Sequence, residues 1–453
     1  MNPNIFREYD IRGIVGKDLT GEVVEILGKA LGTYFLGLEK RDVAVGRDCR
    51  LSSPAFSEAL IKGLVSTGCR ITNLGVVPTP LLYFSIFYKN KEAGVMITGS
   101  HNPPEHNGFK MMAGEDTLYG ETIREIHRII QGGRFAEGRG ACADYDLVPE
   151  YTDYVLNNVK LSRGMRVVVD AGNGTAGFVA VPLLRKMGCD VIEQFCEMDG
   201  HFPNHHPDPT LPEAMQSLIR KVRETQAELG IGYDGDGDRI GVVDDRGNII
   251  WGDQLMVVFA RDVLSSHPGA AVISEVKASK VLYDEIAKLG GRPIMWKAGH
   301  SLIKQKIKEE KAVLAGEMSG HIFFADRWFG FDDAIYSTAR LLEILSRSRV
   351  TLSERLSDLP KTYSTPEIRV YASDEVKFDI VNEVRKALAA KYPVIDIDGV
   401  RAAFPHGWGL VRASNTQAVL VLRFEAESPE ALAAIQKEVR GGLEDAIRKL
   451  GAS

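Results

Sequence analysis

The sequence predicts an α/β protein of several domains, three built on one plan and a C-terminal fourth of α+β type. Three observations carry that expectation. A strand, a polar loop, a helix and a second strand recur in that order three times; each of those helices stops at a glycine; and the residues after 364 abandon the pattern. A length of 453 residues is room for about three domains, with roughly two to four reasonable.

The repeats are DVAVGRDCRLSSPAFSEALIKGLVSTGCRITNLG (42–75), RVVVDAGNGTAGFVAVPLLRKMGCDVIEQ (166–194) and GAAVISEVKASKVLYDEIAKLGGRPIMWKAG (269–299). Each opens on a short β-branched run, which suits a buried strand. Each then passes into an amphipathic helix closed by a glycine, the residue that best takes the left-handed position past a helix end. A second strand follows, so each reads as a βαβ unit with parallel pairing. The tail differs. STPEIRVYASDEVKFDIVNEVRKALAAKYP predicts a strand and a helix, and VIDIDGVRAAFPHGWGLVRASNTQAVLVLRFEAES predicts several strands with glycine-rich turns. SPEALAAIQKEVRGGLEDAIRKLG predicts a closing helix, with Ser428 as N-cap and Pro429 in its first turn. The expected divisions are 1–150, 151–253, 254–364 and 365–453.

Bulk properties exclude several classes. Apolar residues make up 44% and charged residues 26%, as in an ordinary soluble protein. A net charge of −6 leaves no basic excess to neutralise a nucleic-acid backbone. The five cysteines, Cys49, Cys69, Cys142, Cys189 and Cys196, are odd in number and contain no C-x-x-C pair. That argues against a disulfide framework or a zinc site and for a reducing compartment. MNPNIFREYDIRG lacks the apolar stretch of a signal peptide, and no apolar run reaches membrane-spanning length. The expectation is a cytoplasmic protein with no nucleic-acid or membrane partner.

GVMITGSHNPPEHNGFKMM (94–112) carries Ser100 out of a buried strand. Residue 98 is Thr and residue 102 is Asn, so the G-x-S-x-G elbow is absent. The loop still has the features of an exposed nucleophile. Gly99 permits a sharp turn, Pro103 and Pro104 stiffen it, and His101 and Lys110 can supply charge or move a proton.

IGYDGDGDRIGVVDD sets Asp234, Asp236 and Asp238 at alternate positions with only glycines between them. The glycines let the backbone curl until three carboxylates meet, and such a cluster calls for a hard cation such as Mg²⁺. An EF-hand does not fit: its glycine position holds Arg239 and its closing glutamate position holds Asp245. Arg239 is most simply a counter-charge.

Two further loops read as ligand grips. AGEMSGHIFF offers Glu317, Ser319 and His321 at alternate positions, a set that suits sugar hydroxyls if all face one way. GLVRASNTQAV puts Arg412, Ser414, Asn415 and Thr416 in one turn between strands, a nest for a phosphate. Lys277 and His300 fall in strand-to-helix loops of the third unit. Two other motifs compete. Gly172, Gly174 and Gly177 spell G-x-G-x-x-G after a strand, with Glu193 downstream, which would suit a dinucleotide-binding oxidoreductase. HFPNHHPDP offers His201, His205 and His206 as metal ligands, although Pro203, Pro207 and Pro209 read as a stiff linker.

A serine, an acidic cluster, a hydroxyl reader and an anion nest lie one in each expected domain. The economical arrangement is a central cleft where all four meet. Mg²⁺ beside a serine points to phosphoryl chemistry.

TGSHNPPEHNGFK, DGDGDR, GEMSGH and RASNT stand in the order and spacing of the α-D-phosphohexomutases, which this chain resembles over essentially its whole length. EYDIRG, FPNHHPDP and AGHS match too. Gly99 and Met318 fit the bacterial phosphomannomutase/phosphoglucomutase branch better than the phosphoglucosamine mutases, which favour alanine and glutamine there. The resemblance implies three related α/β domains and a TATA-binding-protein-like fourth. It implies an isomerase that moves a phosphoryl group reversibly between the 1- and 6-positions of glucose or mannose phosphates. Ser100 would be the phosphoserine, sharing one Mg²⁺ per chain with Asp234, Asp236 and Asp238, and the intermediate a bisphosphorylated sugar that turns end for end. Arg12, His101 and Lys110 would surround the reacting centre. The general acid or base stays open among His101, Lys110, Lys277 and His300. Glu317 and Ser319 would read sugar hydroxyls with His321 nearby. Arg412, Ser414, Asn415 and Thr416 would hold the other phosphate, with Tyr9 and Arg239 also in the substrate-binding set. Glucose 1,6-bisphosphate or an equivalent would activate the enzyme, which would act as a monomer or weak dimer. A sugar-phosphate sensor that kept the cleft is the non-catalytic alternative.

Overall fold

Each of the three repeats forms, and each makes the same sheet. In the computed structural model, which describes residues 1–415 and 417–451, the strand Asp42–Arg47 lies between Arg70–Val76 and Ala93–Ile97, parallel to both. Arg166–Asp170 lies likewise between Asp190–Gln194 and Leu229–Tyr233. Ala271–Glu275 lies between Arg292–Trp296 and Leu314–Gly316. In all three a fourth strand returns antiparallel to the third: His106–Ala113, Ile240–Val243 and Ile322–Phe324. The first repeat's helix, Ser53–Thr67, ends on Gly68 at φ 104°, the left-handed conformation expected there.

The reversal of the fourth strand decides where the site lies. Parallel strands end together at one edge of a sheet, and ligands of open α/β sheets gather at that carboxyl edge. The turn from third to fourth strand sits at that edge in each unit. Those turns are residues 98–105, 234–239 and 317–321, which carry the serine, the three aspartates and the Glu-Ser-His triplet.

The fourth sheet is antiparallel throughout. Tyr363–Ser364 and Ile368–Tyr371 both pair with Val419–Ala426, followed by Gly407–Ala413, Val400–Phe404 and Val394–Ile395. Helices Lys377–Ala389 and Pro429–Lys449 cover it with Ile380, Val384, Leu388, Ile435, Val439 and Leu443. Ser428 accepts from Ala431 N as N-cap, as expected. Its long strands Gly407–Ala413 and Val419–Ala426 are consecutive in the chain and antiparallel.

The cores are unequally joined. One apolar cluster runs from Leu81 and Phe84 of the first unit through Val167 and Leu229 of the second to Val272 and Tyr336 of the third. Stacked rings weld it: Trp328 lies 4.1 Å from Tyr336 and 5.7 Å from Phe84 between centroids. The fourth unit keeps a separate core. It meets the third through buried arginines: Arg401, stacked 3.6 Å over Trp408, donates to the carbonyls of Val276 (2.6 Å) and Ala278 (2.7 Å). Among the described residues, no helix is long and apolar enough to cross a membrane.

Candidate active site

Ser100 is buried and sits at φ 49°, a left-handed conformation that costs a non-glycine residue energy unless its surroundings hold it. Arg50, fully buried, does the holding. Its guanidinium donates to the carbonyls of Ser100 (2.8 Å), Asn102 (2.5 Å), Pro103 (2.6 Å) and His106 (3.0 Å), and its Nε pairs with Asp48 at 3.1 Å. A Cβ at position 99 would fall 2.5 Å from that guanidinium, so Gly99 makes room for the clamp. Arg12 reaches the same loop, donating to Asn102 Oδ1 at 2.9 Å and to Asp10.

The serine hydroxyl meets the acidic loop directly: Ser100 Oγ lies 2.8 Å from Asp234 Oδ2 and 3.2 Å from His101 Nδ1. Burial, reinforced by Arg239 and Arg12, pushes the His101 imidazole well below its ordinary pKa, so it is neutral. Asp234 Oδ1 accepts from the backbone N–H groups of Gly237 (3.0 Å), Asp238 (3.1 Å) and Arg239 (3.1 Å), which fixes the curl of the loop. Asp236 Oδ2 accepts from Thr79 (2.6 Å) and Lys110 (2.7 Å), and Lys110 also donates to Asp238. All three carboxylates are fully buried. Burial and the neighbouring Asp236 and Asp238 drive the Asp234 pKa up; for Asp236, Lys110 and Thr79 overcome burial and hold it down.

These oxygens fit a hard divalent cation. Each aspartate offers one ligand atom, all within 4.8 Å of one another. Asp236 Oδ1 and Asp238 Oδ1 are buried with no hydrogen-bond partner among the described residues, so two acceptors stand ready beside Ser100.

A second polar group borders the first. Arg239 Nε donates to His321 Nε2 at 3.0 Å, so a neutral His321 carries its proton on Nδ1, which lies 2.9 Å from Asp332 Oδ2. Lys304 donates to Asp332 Oδ1 at 3.0 Å and sits 4.0 Å over the Tyr83 ring. His300 stacks on His321 at 5.5 Å, and its Nδ1 is 3.7 Å from Asp332. Burial, with Lys304 close by, depresses the His300 pKa well below the usual value.

The remaining expected residues line the path to the fourth unit. Lys277 donates to Glu367 at 2.7 Å, and Glu317 Oε1 accepts from Gly299 N at 2.6 Å. Tyr9 OH donates to Ala298 O at 3.1 Å and accepts from Asn415 Nδ2 at 2.7 Å. Arg412 Nε donates to Asp398 at 3.0 Å, and Asp398 also takes Ala298 N at 3.0 Å. Ser414 Oγ accepts from Gln417 N at 3.1 Å. Thr416 lies outside the described residues.

Two readings change. Glu317, Ser319 and His321 do not alternate along a strand. Glu317 N donates to His321 O at 2.9 Å and Gly320 N to Glu317 O at 3.0 Å, a closed turn in which His321 faces the acidic loop and Glu317 faces Gly299. Arg239 is more than a counter-charge, since it sets the His321 tautomer. Arg50, Thr79, Lys304, Asp332, Glu367 and Asp398 were not anticipated. Only Arg50 left a trace, two charges in GRDCR directly after a buried strand.

The phosphoglucomutase/phosphomannomutase alpha/beta/alpha domain I matches residues 3–137, domain II 149–247, domain III 251–363 and the C-terminal domain 367–442. A phosphomannomutase/phosphoglucomutase of Pseudomonas aeruginosa is 49% identical over 441 residues, 97% of this chain and 95% of that protein. A phosphoglucomutase of Neisseria gonorrhoeae is 46% identical over 449 residues, 97% of each. The crystal structure of a phosphoglucomutase/phosphomannomutase family protein of Burkholderia thailandensis superposes with a TM-score of 0.94 at 43% identity, covering 98% of both chains.

Removing the clamp tests the site's foundation. Arg50→Met leaves the buried Asp48 without a counter-charge and several buried carbonyls unmet, and should lower stability by about 3–5 kcal/mol, read as a lower urea midpoint. An unchanged midpoint would show that the loop holds its shape without Arg50.

Proposed function

The chain belongs to the phosphoglucomutase/phosphomannomutase family, and from that premise we propose that phosphorylated Ser100 is the group that exchanges its phosphoryl with the sugar. The activity is that of an isomerase, reversible phosphoryl transfer between the 1- and 6-positions of hexose phosphates through a bisphosphorylated sugar. The observation that carries the role of Ser100 is its Oγ at 2.8 Å from Asp234 Oδ2, with two unmet carboxylate oxygens beside it.

In the proposed cycle the free hydroxyl of a hexose phosphate attacks the phosphorus on Ser100. The P–Oγ ester bond of Ser100 breaks, a bond from phosphorus to the sugar oxygen forms, and the hydroxyl proton leaves to a nearby base. The sugar, now phosphorylated at both ends, turns and returns its other phosphate to Ser100. Asp234, Asp236, Asp238 and Ser100 are the residues that would hold Mg²⁺, which when bound offsets charge on the moving phosphoryl group. Lys110, buried between Asp236 and Asp238, pairs with both and holds the Asp236 pKa down. His101, Lys110, Lys277 and His300 are the candidates for proton transfer; burial lowers the pKa of His101 and His300, so those rings are neutral and weakly basic.

Glu317 and Ser319 are assigned to the sugar hydroxyls, with Lys277 and His321 alongside. Arg412, Ser414, Asn415 and Thr416 are assigned to the phosphate that is not reacting, with Tyr9 bridging to Asn415. The separate core of the fourth unit supports a cleft that opens while the intermediate turns. We infer the divisions 1–150, 151–253, 254–364 and 365–453, each carrying one site loop, with Tyr363–Ser364, just before the last division, already pairing into the fourth sheet. A sugar bisphosphate would restore enzyme that has lost its phosphate. The net charge of −6 supports a protein that acts without nucleic acid, and we infer a cytoplasmic monomer or weak dimer.

Ser100→Ala should abolish interconversion of glucose 1-phosphate and mannose 1-phosphate with their 6-phosphates in coupled assays while ligand binding persists. Intact mass should place the phosphate on Ser100, and full turnover by the variant would end the assignment. Arg412→Ala should weaken substrate by about 2 kcal/mol through loss of charge-assisted hydrogen bonds, read as a raised KM; an unaltered KM would remove Arg412 from the phosphate nest.

A further inference from the structure

The glycine run and the histidine pair, which phosphoryl transfer leaves unused, meet against the acidic loop. The carbonyl of Gly235, between Asp234 and Asp236, accepts from Thr175 N at 3.1 Å. A Cβ on Gly174 would fall 2.5 Å from that carbonyl, and one on Gly235 would fall 2.5 Å from the carbonyl of Ser100. A Cβ on Gly172 would meet Pro207 at 3.0 Å and the His205 ring at 3.3 Å. The fingerprint glycines therefore allow close backbone packing against residues 205–207 and 235; no dinucleotide is needed to explain them.

His205 closes this stack. Its Nδ1 lies 2.8 Å from the carbonyl oxygen of His206, which can only accept, so Nδ1 carries a proton. Its Nε2 lies 3.0 Å and 3.1 Å from the two oxygens of Asp170. Those oxygens already accept from Gly172 N (2.9 Å) and Gln194 Nε2 (2.7 Å). The ring therefore donates from both nitrogens. Asp170 is the charged side chain that faces it among the described residues; Phe195 meets it edge-on, and His206 follows it in the chain. Burial pulls the His205 pKa down, and Asp170 with the His206 carbonyl outweighs that and holds it above the ordinary value.

We propose that His205 and Asp170 form a charged clamp that positions the Mg²⁺-binding loop, by holding Pro207 and the turn 172–175 against Gly235. The proposal rests on the reading that Asp234, Asp236 and Asp238 bind Mg²⁺. His205 is a positioning residue, since it touches neither substrate nor cation.

Imidazole ¹⁵N shifts of His205 in the full chain at neutral pH should show both ring nitrogens protonated; a neutral ring would overturn the clamp. His205→Gln should lower the thermal midpoint of the metal-free protein in a pH-dependent way. Because the folded-state pKa is raised, the deficit should be full below the unfolded value of about 6.5 and shrink as pH rises through the folded value. A deficit equal at every pH would count against a charged clamp. Calorimetric titration with Mg²⁺ should show about tenfold weaker binding by the variant, the lower end of what losing an outer-shell support costs. Equal affinity would overturn the positioning role. An unsubstituted chain that takes up no Mg²⁺ would instead overturn the reading of the acidic loop, a failure the calorimetry separates from the first.

Discussion

Three carboxylates cannot be buried side by side without compensation. Asp234, Asp236 and Asp238 are fully buried in one turn, and their mutual repulsion in a low-dielectric setting would unfold the loop if nothing answered it. The answer comes largely from the first unit: Lys110 lies between Asp236 and Asp238, Thr79 donates to Asp236, and Ser100 donates to Asp234. The loop's own amides satisfy the remaining oxygen of Asp234. Neither unit has a satisfactory edge alone. The polar contact that creates the candidate site also fixes how the first two units sit together.

The shared topology makes that contact possible. A parallel strand followed by a tight antiparallel return places a loop at the carboxyl edge of each sheet. Repeating the arrangement brings the Ser100 loop, the acidic loop and the Glu317–His321 turn into reach of one another. A continuous apolar core and stacked aromatic rings hold the three sheets in that relation. The fourth unit is attached differently, mainly by polar contacts: Arg401 donates to carbonyls of the third unit, Lys277 pairs with Glu367, Ala298 N donates to Asp398 and Asn415 donates to Tyr9, beside a small apolar cluster of Val276, Trp408 and Leu410. Rigid packing suits loops proposed to share a cation, and a polar attachment suits a loop proposed to grip a ligand's far end.

Residues adjacent in sequence were legible, and residues meeting across units were not. The strand–helix–strand repeats, the Ser428 cap and the curled aspartate run follow from local composition; the serine turn forms as well, but Ser100 is buried in it where the sequence suggested an exposed nucleophile. The partners of those residues do not. Arg50 holds Ser100 from a different loop, and Asp332 joins His300 and Lys304 of the helix His300–Glu310 to His321 of the neighbouring turn. The alternation of Glu317, Ser319 and His321 suggested one face, but the stretch is too short to be a strand and closes as a turn. The G-x-G-x-x-G pattern was a true signal of close backbone approach, with a neighbouring loop as the object in place of a cofactor.

What this chain's sequence determined by itself is the set of chemical groups and the local shapes that carry them, because strands, caps and glycine turns depend on neighbours a few residues away. Only the tertiary structure decided which groups meet, which way His321 and His205 hold their protons, and which carboxylate oxygens stay unpaired. Those properties depend on distances between atoms far apart along the chain, and on burial that makes each unpaired charge costly.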